Sequence, residues 1–256
     1  MFQTINANDK MIFSIDGNIG SGKSTLFEEL KIKFKKREDI KFIEEPVDEW
    51  EDIKDESGKT MLENYCSDHK KYAFSFQIMA CVTRMKKLLD ALQEPHVRFI
   101  ISERSILTDK NVFAKMLFDS KNISKMDYDI YKVFYNTHSS FIHNIIMVYI
   151  RTKPEICQQR VIERNRKGED MIPLEYLQMC HEYHESWIMD SSINHKMIID
   201  GNKSHEDNPN QMTSWINEFE CFIKFYEDHV YNKKQNTYFT KQKDNATEIV
   251  ENVVNV

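Results

Sequence analysis

The 256 residues carry a formal net charge of −6 at neutral pH, and 41% of them are hydrophobic and 12% aromatic. This apolar content suffices for the core of one large domain. With a mean hydropathy of −0.60, no segment approaches the ~20 apolar residues of a membrane span. Because Lys and Arg are not in excess, the composition argues against a nucleic-acid polymer as partner, whereas small anionic ligands remain possible.

The cysteines and the chain ends bear on location and domain organisation. The five cysteines are odd in number and lack metal-ligand spacing, which is typical of core thiols in a reducing compartment. Residues 1–10 contain no arginine and no apolar signal segment, so we expect a cytoplasmic protein without membrane association. A single domain is expected over residues 1–231, followed by a polar C-terminal extension over residues 232–256.

Short apolar runs alternate with longer helical patterns along the chain. The runs occupy residues 11–16, 40–45, 97–102, 145–150 and 196–200. Helices are expected near residues 23–37, 70–93, 105–119, 126–142, 154–166, 173–190 and 208–230. Because the runs are almost entirely apolar, they indicate strands buried on both faces. The sequence therefore predicts an α/β fold with a doubly wound, five-stranded parallel sheet and ligands at the carboxyl ends of the strands.

The first run leads into a glycine-rich loop that fits the pattern GxxxxGK[ST] between a strand and a helix. The loop consists of Gly17, Asn18, Ile19, Gly20, Ser21, Gly22, Lys23, Ser24 and Thr25. In such a loop, backbone N–H groups surround phosphates, Lys23 reaches the outer phosphates, and Ser24 can ligate Mg²⁺. Kinases, GTPases and motors share this pattern, so alone it predicts a nucleoside triphosphate site but not the reaction.

Charged residues follow the second and third runs. Glu45 precedes Pro46, which favours an extended backbone that directs the carboxylate into the ligand crevice. Glu45 could accept the proton of an attacking hydroxyl, but a surface acidic loop explains this segment equally well. The third run ends in Glu103 and Arg104. This charged pair is expected at the same sheet edge as Lys23 and Glu45, which favours the functional interpretation.

Two helical patterns place polar residues on shared faces. Gln77, Ala80 and Arg84 fall on one face of the helix near residues 70–93. This stripe suits a flat base, although a solvated face is the alternative for Arg84. The opposite face is expected to be core and carries Ile78, Val82, Met85 and Leu89. On the next helix, Asp109 and Phe113 lie four residues apart and share a face.

Five segments together resemble the deoxynucleoside kinase family, and in particular its deoxycytidine and deoxyguanosine kinase branch. They read GNIGSGKST, EPVDEW, FSFQIMACVTR, ERSILTD and RVIERNRKGEDMIPLEYL. The resemblance implies a P-loop kinase fold with an arginine-rich lid. It implies phosphoryl transfer from ATP, with Mg²⁺, to the 5′-hydroxyl of a deoxynucleoside in nucleotide salvage. It also implies a homodimer formed through the helices at residues 105–142.

The resemblance assigns roles to the charged residues at the sheet edge. It implies that Glu45 is the general base that acts on the 5′-hydroxyl. Arg104 would steady this base and the phosphoryl group. Glu103 would hold Mg²⁺ together with Ser24 or, as the alternative, serve as the acid/base itself. A loose phosphoryl-transfer transition state needs positioning and cations more than covalent help, so these roles agree with the chemistry.

The resemblance also describes an acceptor pocket. Arg84 and Asp109 match a pair that lies beside the base in the branch that accepts amino-bearing bases. Other base-pocket positions are matched by Trp50, Phe76, Gln77 and Phe113. For the sugar, Tyr65 and Glu169 match residues that bind the 3′-hydroxyl, although the spacing from Tyr65 to Phe76 is one residue longer than in the family.

A basic cluster follows the fourth run. Arg160, Arg164 and Arg166 match the arginine-rich lid, which closes on the triphosphate and excludes water, whereas a solvated basic face is the alternative. Gly168 stands where the family often has an acidic residue, which bears on the register of Glu169. Residues 201–207 occupy the place of the loop around the donor base, with a weak match.

Two other functions compete with the leading one. A thymidine-preferring or broad-range kinase would lack the combination of Arg84 and Asp109. A catalytically silent structural subunit of the same fold would not need to retain Lys23, Glu45 and Arg104. The sequence therefore favours phosphorylation of deoxycytidine, deoxyadenosine or deoxyguanosine over thymidine, without ranking the three.

Overall fold

A computed structural model of the chain describes residues 10–139, 145–164, 172–189, 193, 195–203 and 210–228. The chain forms two compact units, Met1–Pro209 and Asn210–Val256. The first unit contains the sheet, and the described element of the second is a single helix. The expected domain boundary after residue 231 and the polar extension lie outside the described residues.

The sheet has five parallel strands in the spatial order β2-β3-β1-β4-β5. The strands are β1 (Met11–Gly17), β2 (Ile40–Ile43), β3 (Phe99–Glu103), β4 (Ile145–Arg151) and β5 (Lys196–Asp200). Each overlaps one of the five predicted runs. The predicted α/β class and the parallel, five-stranded sheet are confirmed.

The helices follow the predicted pattern with three differences. They are α1 (Lys23–Lys33), α2 (Val47–Asp52), α3 (Met61–Ser67), α4 (His69–Gln93), α5 (Ile106–Thr108), α6 (Lys115–Asp119), α7 (Lys125–His138), α8 (Pro154–Arg164), α9 (Leu174–Ile188) and α10 (Gln211–Tyr226). The helix expected at 105–119 is divided by a π-helical segment, Asp109–Ala114, and neither α2 nor α3 was predicted. No described helix is both long enough and apolar enough to cross a membrane.

Helix α4 covers one face of the sheet. Leu88, Ala91 and Leu92 of this helix form a buried cluster with Ile12 of β1 and Ile100 of β3. Burying each large aliphatic side chain contributes about 1.5–3 kcal/mol. This contact fixes the position of α4, and therefore of the polar stripe near its middle, relative to the strands.

Helix α1 covers the other face. Phe27 of α1 meets Phe42 of β2 edge to face, with ring centroids 5.5 Å apart. In the strand register, Phe42 lies beside Ile101 and Phe13, whose side chains point away from the α4 side. Both faces of the sheet are thus covered, which explains why the strand sequences are apolar throughout.

The strand order creates a crevice at the carboxyl edge. Strand β1 lies between β3 and β4, so the connections on its two sides run in opposite directions. The edge receives Gly17 at the end of β1, Glu103 at the end of β3, and Glu45 two residues after β2. The glycine-rich loop and the two carboxylates predicted to act with it, Glu45 and Glu103, therefore converge.

The expectation that one face of α4 is entirely core is wrong at Val82. Met85 on that face is buried, and Ile78 and Leu89 pack partly buried against a cluster that includes Tyr131 of α7. Val82, in contrast, is 40% exposed. Helical spacing identifies a shared face but not how far the neighbouring helix extends over it.

A packing contact at the glycine-rich loop of residues 17–25, which is called the phosphate loop from here on, leads to a prediction about Gly20. Its φ of +77° is left-handed, and a Cβ atom would lie 2.4 Å from the Cys157 carbonyl oxygen of α8. Gly58 has a similar φ of +83° with nothing within 4 Å of a Cβ. We expect Gly58→Ala to cost about 1–2 kcal/mol through the backbone alone. Gly20→Ala should cost a further ~1–3 kcal/mol through the collision.

Urea unfolding of the wild-type chain and the two variants gives the free energy of unfolding of each, and therefore the cost of each substitution. Equal losses of unfolding free energy would contradict the close approach of the loop to α8.

Candidate active site

The glycine-rich loop is held from α9 by Asn18. Its side-chain amide donates to the Leu177 carbonyl oxygen at 2.8 Å, and its Oδ1 accepts from the Ile19 N–H at 2.9 Å. Lys23 is buried, and its Nζ donates to the Asn18 carbonyl oxygen at 2.6 Å. Burial, together with the nearby Arg104 cation, lowers the pKa of Lys23 to about 7. A polyphosphate beside this amine would favour its charged form.

Helix α8 and the residue two positions before it hold the loop from its other side. The Ser21 carbonyl oxygen accepts from Thr152 Oγ1 at 3.2 Å and from Arg160 Nη1 at 3.4 Å. Arg160 Nη2 also donates to the Lys203 carbonyl oxygen at 2.9 Å. Arg160 therefore connects the loop to the segment predicted to surround the donor base. Thr25, in contrast, is exposed.

One cavity brings together most of the predicted site residues. Its walls include Ile19, Gly20, Lys23, Ser24, Glu45, Trp50, Tyr65, Phe76, Gln77, Arg84, Glu103, Arg104, Asp109, Phe113 and Arg164. Residues from the phosphate loop, the strand ends, α4 and the π-helical segment thus face a common space. The predicted residues Arg166 and Glu169 lie outside the described residues.

Two carboxylates in the cavity share the guanidinium of Arg84. Arg84 Nη2 donates to Glu45 Oε1 at 2.7 Å, and Arg84 Nε lies 3.2 and 3.0 Å from the two Asp109 carboxylate oxygens. The Arg84 side chain is only 8% exposed and stacks over the Trp50 ring at 5.2 Å. The predicted pairing of Arg84 with Asp109 is therefore accompanied by a bond to Glu45 that spacing did not predict.

The two carboxylates differ in acidity. Burial acts to raise the pKa of Glu45, but the cations of Arg84 and Arg104 outweigh it and hold the pKa at about 2. Burial raises the pKa of Asp109 against the opposing attraction of Arg84. Glu45 is thus the more firmly ionised of the two. A fully ionised carboxylate can accept a hydrogen bond from a hydroxyl but cannot donate one.

Arg104 lies at the centre of the site in a strained backbone conformation. Its φ of 63° is left-handed, which is uncommon for a residue other than glycine, and Ser102 Oγ supports it by donating to its carbonyl oxygen at 2.7 Å. Its Nη1 donates to the Gly17 carbonyl oxygen at 3.0 Å, and its Nε lies 3.5 Å from Glu45 Oε1. The guanidinium also lies 4.9 Å from the Phe113 ring centroid. This conformation directs the cation towards the phosphate loop.

The two predicted metal ligands are adjacent. Ser24 Oγ donates to Glu103 Oε1 at 2.6 Å. A hydroxyl and a carboxylate are oxygen ligands of the type that Mg²⁺ accepts, and Mg²⁺ takes its other ligands from water and substrate phosphates. The two residues therefore fit a Mg²⁺ ion held jointly by the protein and a triphosphate.

Aromatic rings form the far end of the cavity. Phe76 meets Trp50 edge to face at 5.4 Å and stacks on Tyr65 at 4.4 Å with an interplanar angle of 5°. Gln77 Oε1 and Arg84 Nη1 are both buried and have no hydrogen-bond partner within the described part of the chain. One buried acceptor and one buried donor therefore remain open for a ligand beside the rings.

Two residues that the sequence analysis missed also line this end. Tyr176 of α9 places its hydroxyl 3.5 Å from the Tyr65 hydroxyl. The His69 ring lies 4.5 Å from the Tyr65 ring, and burial lowers the pKa of its imidazole. Tyr176 belongs to one of the five segments that resemble the deoxynucleoside kinase family, and this resemblance was the signal that could have identified it. Nothing in the spacing pointed to His69.

A buried carboxylate behind the site was also missed. Asp16 of β1 accepts hydrogen bonds from Ser14 Oγ at 2.5 Å and from Thr108 Oγ1. Thr108 directly precedes Asp109, so this contact ties the start of the π-helical segment to the strand that carries the phosphate loop. The sequence signal for this carboxylate was the presence of two polar residues, Ser14 and Asp16, within an otherwise apolar run.

Comparison with known proteins identifies the family of the chain. The family model described as deoxynucleoside kinase matches residues 13–224. A probable deoxycytidine kinase of fowlpox virus (strain NVSL) is 30% identical over 216 residues, covering 82% of this chain and 87% of the viral protein. Deoxycytidine kinase 2 of Gallus gallus is 30% identical over 241 residues, with 82% and 89% covered. The mitochondrial deoxyguanosine kinase of Xenopus laevis is 30% identical over 195 residues, with 68% and 72% covered.

A catalytically silent subunit is thereby set aside, because the relatives are named as kinases and the phosphate loop and its charged partners share one cavity. The chain belongs to the deoxynucleoside kinase family and is an enzyme that transfers a phosphoryl group from a nucleoside triphosphate to a deoxynucleoside.

Proposed function

We propose that the enzyme transfers the γ-phosphoryl group of ATP, with Mg²⁺, to the 5′-hydroxyl of deoxynucleosides with amino-bearing bases. The observation that carries this proposal is the shared guanidinium of Arg84, which joins Glu45 near the phosphate loop to Asp109 near the aromatic rings. A nucleoside that spans the cavity would meet both carboxylates. We propose a role in nucleotide salvage in the cytoplasm, where the described cysteines, all free thiols, would stay reduced.

On the donor side, cations surround the place of the triphosphate. Lys23 would contact the outer phosphates, and Arg164, which lines the cavity at the end of α8, would approach them from the lid. Ser24 and Glu103 would hold Mg²⁺, which neutralises phosphate charge when it is bound. Arg160 would act by holding the loop backbone through its bond to Ser21.

On the acceptor side, Glu45 would accept the hydrogen bond of the 5′-hydroxyl and orient its oxygen for in-line attack. A carboxylate with a pKa near 2 is a weak base. The loose transition state of phosphoryl transfer places little demand on base strength, because bond formation to the attacking oxygen is limited. Orientation is therefore the larger contribution that we assign to Glu45, with proton acceptance completed as the transfer proceeds.

Two substitutions test these roles. Glu45→Gln keeps the shape but removes the negative charge, so we expect kcat to fall roughly 10²-fold, the lower end of the range for general bases, with nucleoside affinity little changed. Lys23→Ala should weaken triphosphate binding and slow transfer together, because the contact exists in both states.

Steady-state kinetics and calorimetry separate the two effects. Since the pKa of Glu45 is near 2, the wild-type kcat should show no acidic limb from this group between pH 5 and 8. An acidic limb near pH 6 that disappears in Glu45→Gln would contradict the low pKa of Glu45. Lost nucleoside affinity with kcat intact would contradict its action on the 5′-hydroxyl.

The choice of base follows from the two buried atoms beside the aromatic rings that have no hydrogen-bond partner among the described residues, Gln77 Oε1 and Arg84 Nη1. Gln77 Oε1 can accept from an exocyclic amino group, and Asp109, when ionised in its pair with Arg84, can accept but not donate. Cytosine and adenine present an amino group at the corresponding edge, whereas thymine presents a carbonyl oxygen with a methyl group beside it. Guanine also presents a carbonyl oxygen, which Arg84 Nη1 could satisfy as a donor, but it lacks the methyl group, which in thymine would collide with the Arg84 stem. The pocket therefore favours the amino-bearing bases.

We expect thymidine to have the lowest kcat/KM in a panel of the four deoxynucleosides. The difference should be roughly 10- to 100-fold, because an unpaired buried polar group costs about 1–3 kcal/mol. The double variant Arg84→Met with Asp109→Ala should bring the thymidine and deoxycytidine values closer together. Asp109→Ala alone should impair the enzyme more, because it leaves Arg84 Nε without its buried acceptor.

Initial rates of phosphorylation of the four deoxynucleosides, measured with ATP and Mg²⁺, test this prediction. A wild-type preference for thymidine would refute this pocket while leaving the kinase assignment intact.

We also propose that the enzyme is a homodimer. Helix α7 exposes Met126, Ile130 and Val133, which lie at i, i+4 and i+7 on one face with exposures of 74%, 50% and 67%. Val82 of α4 is also exposed and belongs to the helix that packs beside α7. An apolar stripe of this kind on a helix favours contact with an equivalent stripe of a second copy, as the family resemblance implies.

Val133→Lys should therefore produce monomers in sedimentation equilibrium. The matched control is Ile162→Lys, which changes a residue of similar exposure, 62%, on α8 and should leave the dimer intact. A wild-type chain that sediments as a monomer at micromolar concentration would contradict the proposal.

A further inference from the structure

Arg84 uses its three nitrogen atoms in three different ways. Nε contacts the Asp109 carboxylate, Nη2 donates to Glu45 Oε1 at 2.7 Å, and Nη1 is buried with no partner in the described part of the chain. Because a guanidinium is planar and rigid, fixing two of its nitrogens fixes the direction of the third. The open N–H groups of Nη1 therefore have a defined direction, and Arg84 lines the same cavity as Gln77 and Phe113.

Glu45 has little else to hold it. Among the described residues, two other cations act on its carboxylate: Arg104, whose Nε lies at 3.5 Å, beyond a strong hydrogen bond, and Lys23. The Glu45 carboxylate follows β2 and is 23% exposed, so packing alone does not fix its orientation. The position of the group that receives the 5′-hydroxyl thus depends mainly on the bond from Arg84.

From this arrangement we infer that Arg84 is a positioning residue for Glu45, and that the bound nucleobase completes it by accepting a hydrogen bond at Nη1. The inference rests on the proposed function, since it assumes that Glu45 receives the 5′-hydroxyl. An acceptor atom on the base would satisfy the last open donor of the guanidinium and restrict its motion. The base would then influence the orientation of Glu45 through one side chain, without any contact between the base and the reacting atoms.

This coupling has a kinetic signature. A base contact that only adds binding energy changes KM, whereas a contact that orders a reacting group changes kcat. If Arg84 transmits the presence of the base to Glu45, an acceptor without a base should lose kcat as well as affinity. Gln77 lines the same end of the cavity from the same helix, but no hydrogen bond joins it to Glu45 in the described part of the chain. It therefore provides the matched comparison.

The experiment compares the fastest deoxynucleoside of the four with 1,2-dideoxyribose, the same sugar without a base. For the wild-type enzyme we expect kcat for the deoxynucleoside to exceed that for the abasic sugar by at least ~10-fold. In Arg84→Met the ratio of the two kcat values should fall to about threefold or less, because kcat for the deoxynucleoside decreases towards the value for the abasic sugar. In Gln77→Met the KM for the deoxynucleoside should rise while the kcat ratio stays near that of the wild type.

The double variant Arg84→Met with Asp109→Ala covers the case in which Arg84→Met does not fold, because it removes one of the two buried carboxylates left unpaired. It should show the same collapse of the ratio. A ratio that survives in either folded Arg84 variant, with only KM raised, would overturn the inference. Using the fastest deoxynucleoside keeps this result independent of base preference, which the four-nucleoside panel decides separately.

Discussion

The arrangement of the site depends on two buried carboxylates that share one guanidinium. Glu45 and Asp109 are 64 residues apart in the chain and come from different elements, and Arg84 of α4 contacts both. A buried charge without its partner costs several kcal/mol. The end of β2, the middle of α4 and the π-helical segment must therefore assemble together, and the apolar contact of α4 with the sheet fixes the distance between them.

Much of this was predictable because parallel sheets impose a strong constraint. Runs without alternation imply strands buried on both faces, and parallel strands present their carboxyl ends at one edge. This geometry predicts that Lys23, Glu45 and Arg104 share one site although they are distant in the chain, and they line one cavity. The pairing of Arg84 with Asp109 was accessible only through the family resemblance, because Arg84 alone is equally compatible with a solvated face.

What the sequence did not predict depends on tertiary contacts or on weak local signals. Helix α3 begins with a capping box, in which Thr60 and Glu63 bond each other's backbone N–H groups, so a recognisable signal was present. Helix α2 follows Pro46 in a strongly acidic segment, which resembles a loop. The π-helical segment around Asp109 has no sequence signature, because hydrogen bonds to i+5 differ little in residue preference from those of an ordinary helix. The stacking of Tyr65 on Phe76 arises between neighbouring helices, and residue spacing does not report it.

Under the proposed function, the left-handed backbone of Arg104 places fold stability in conflict with catalytic rate. A left-handed non-glycine residue costs about 1–2 kcal/mol, and glycine or asparagine would reduce that cost at this position. Either replacement would remove the cation that contacts Gly17 and lies near Glu45. Selection for thermal stability alone would therefore drift away from arginine at this position, and selection for turnover would restore it. In a laboratory evolution experiment, the residue found at position 104 would report which of the two pressures was acting.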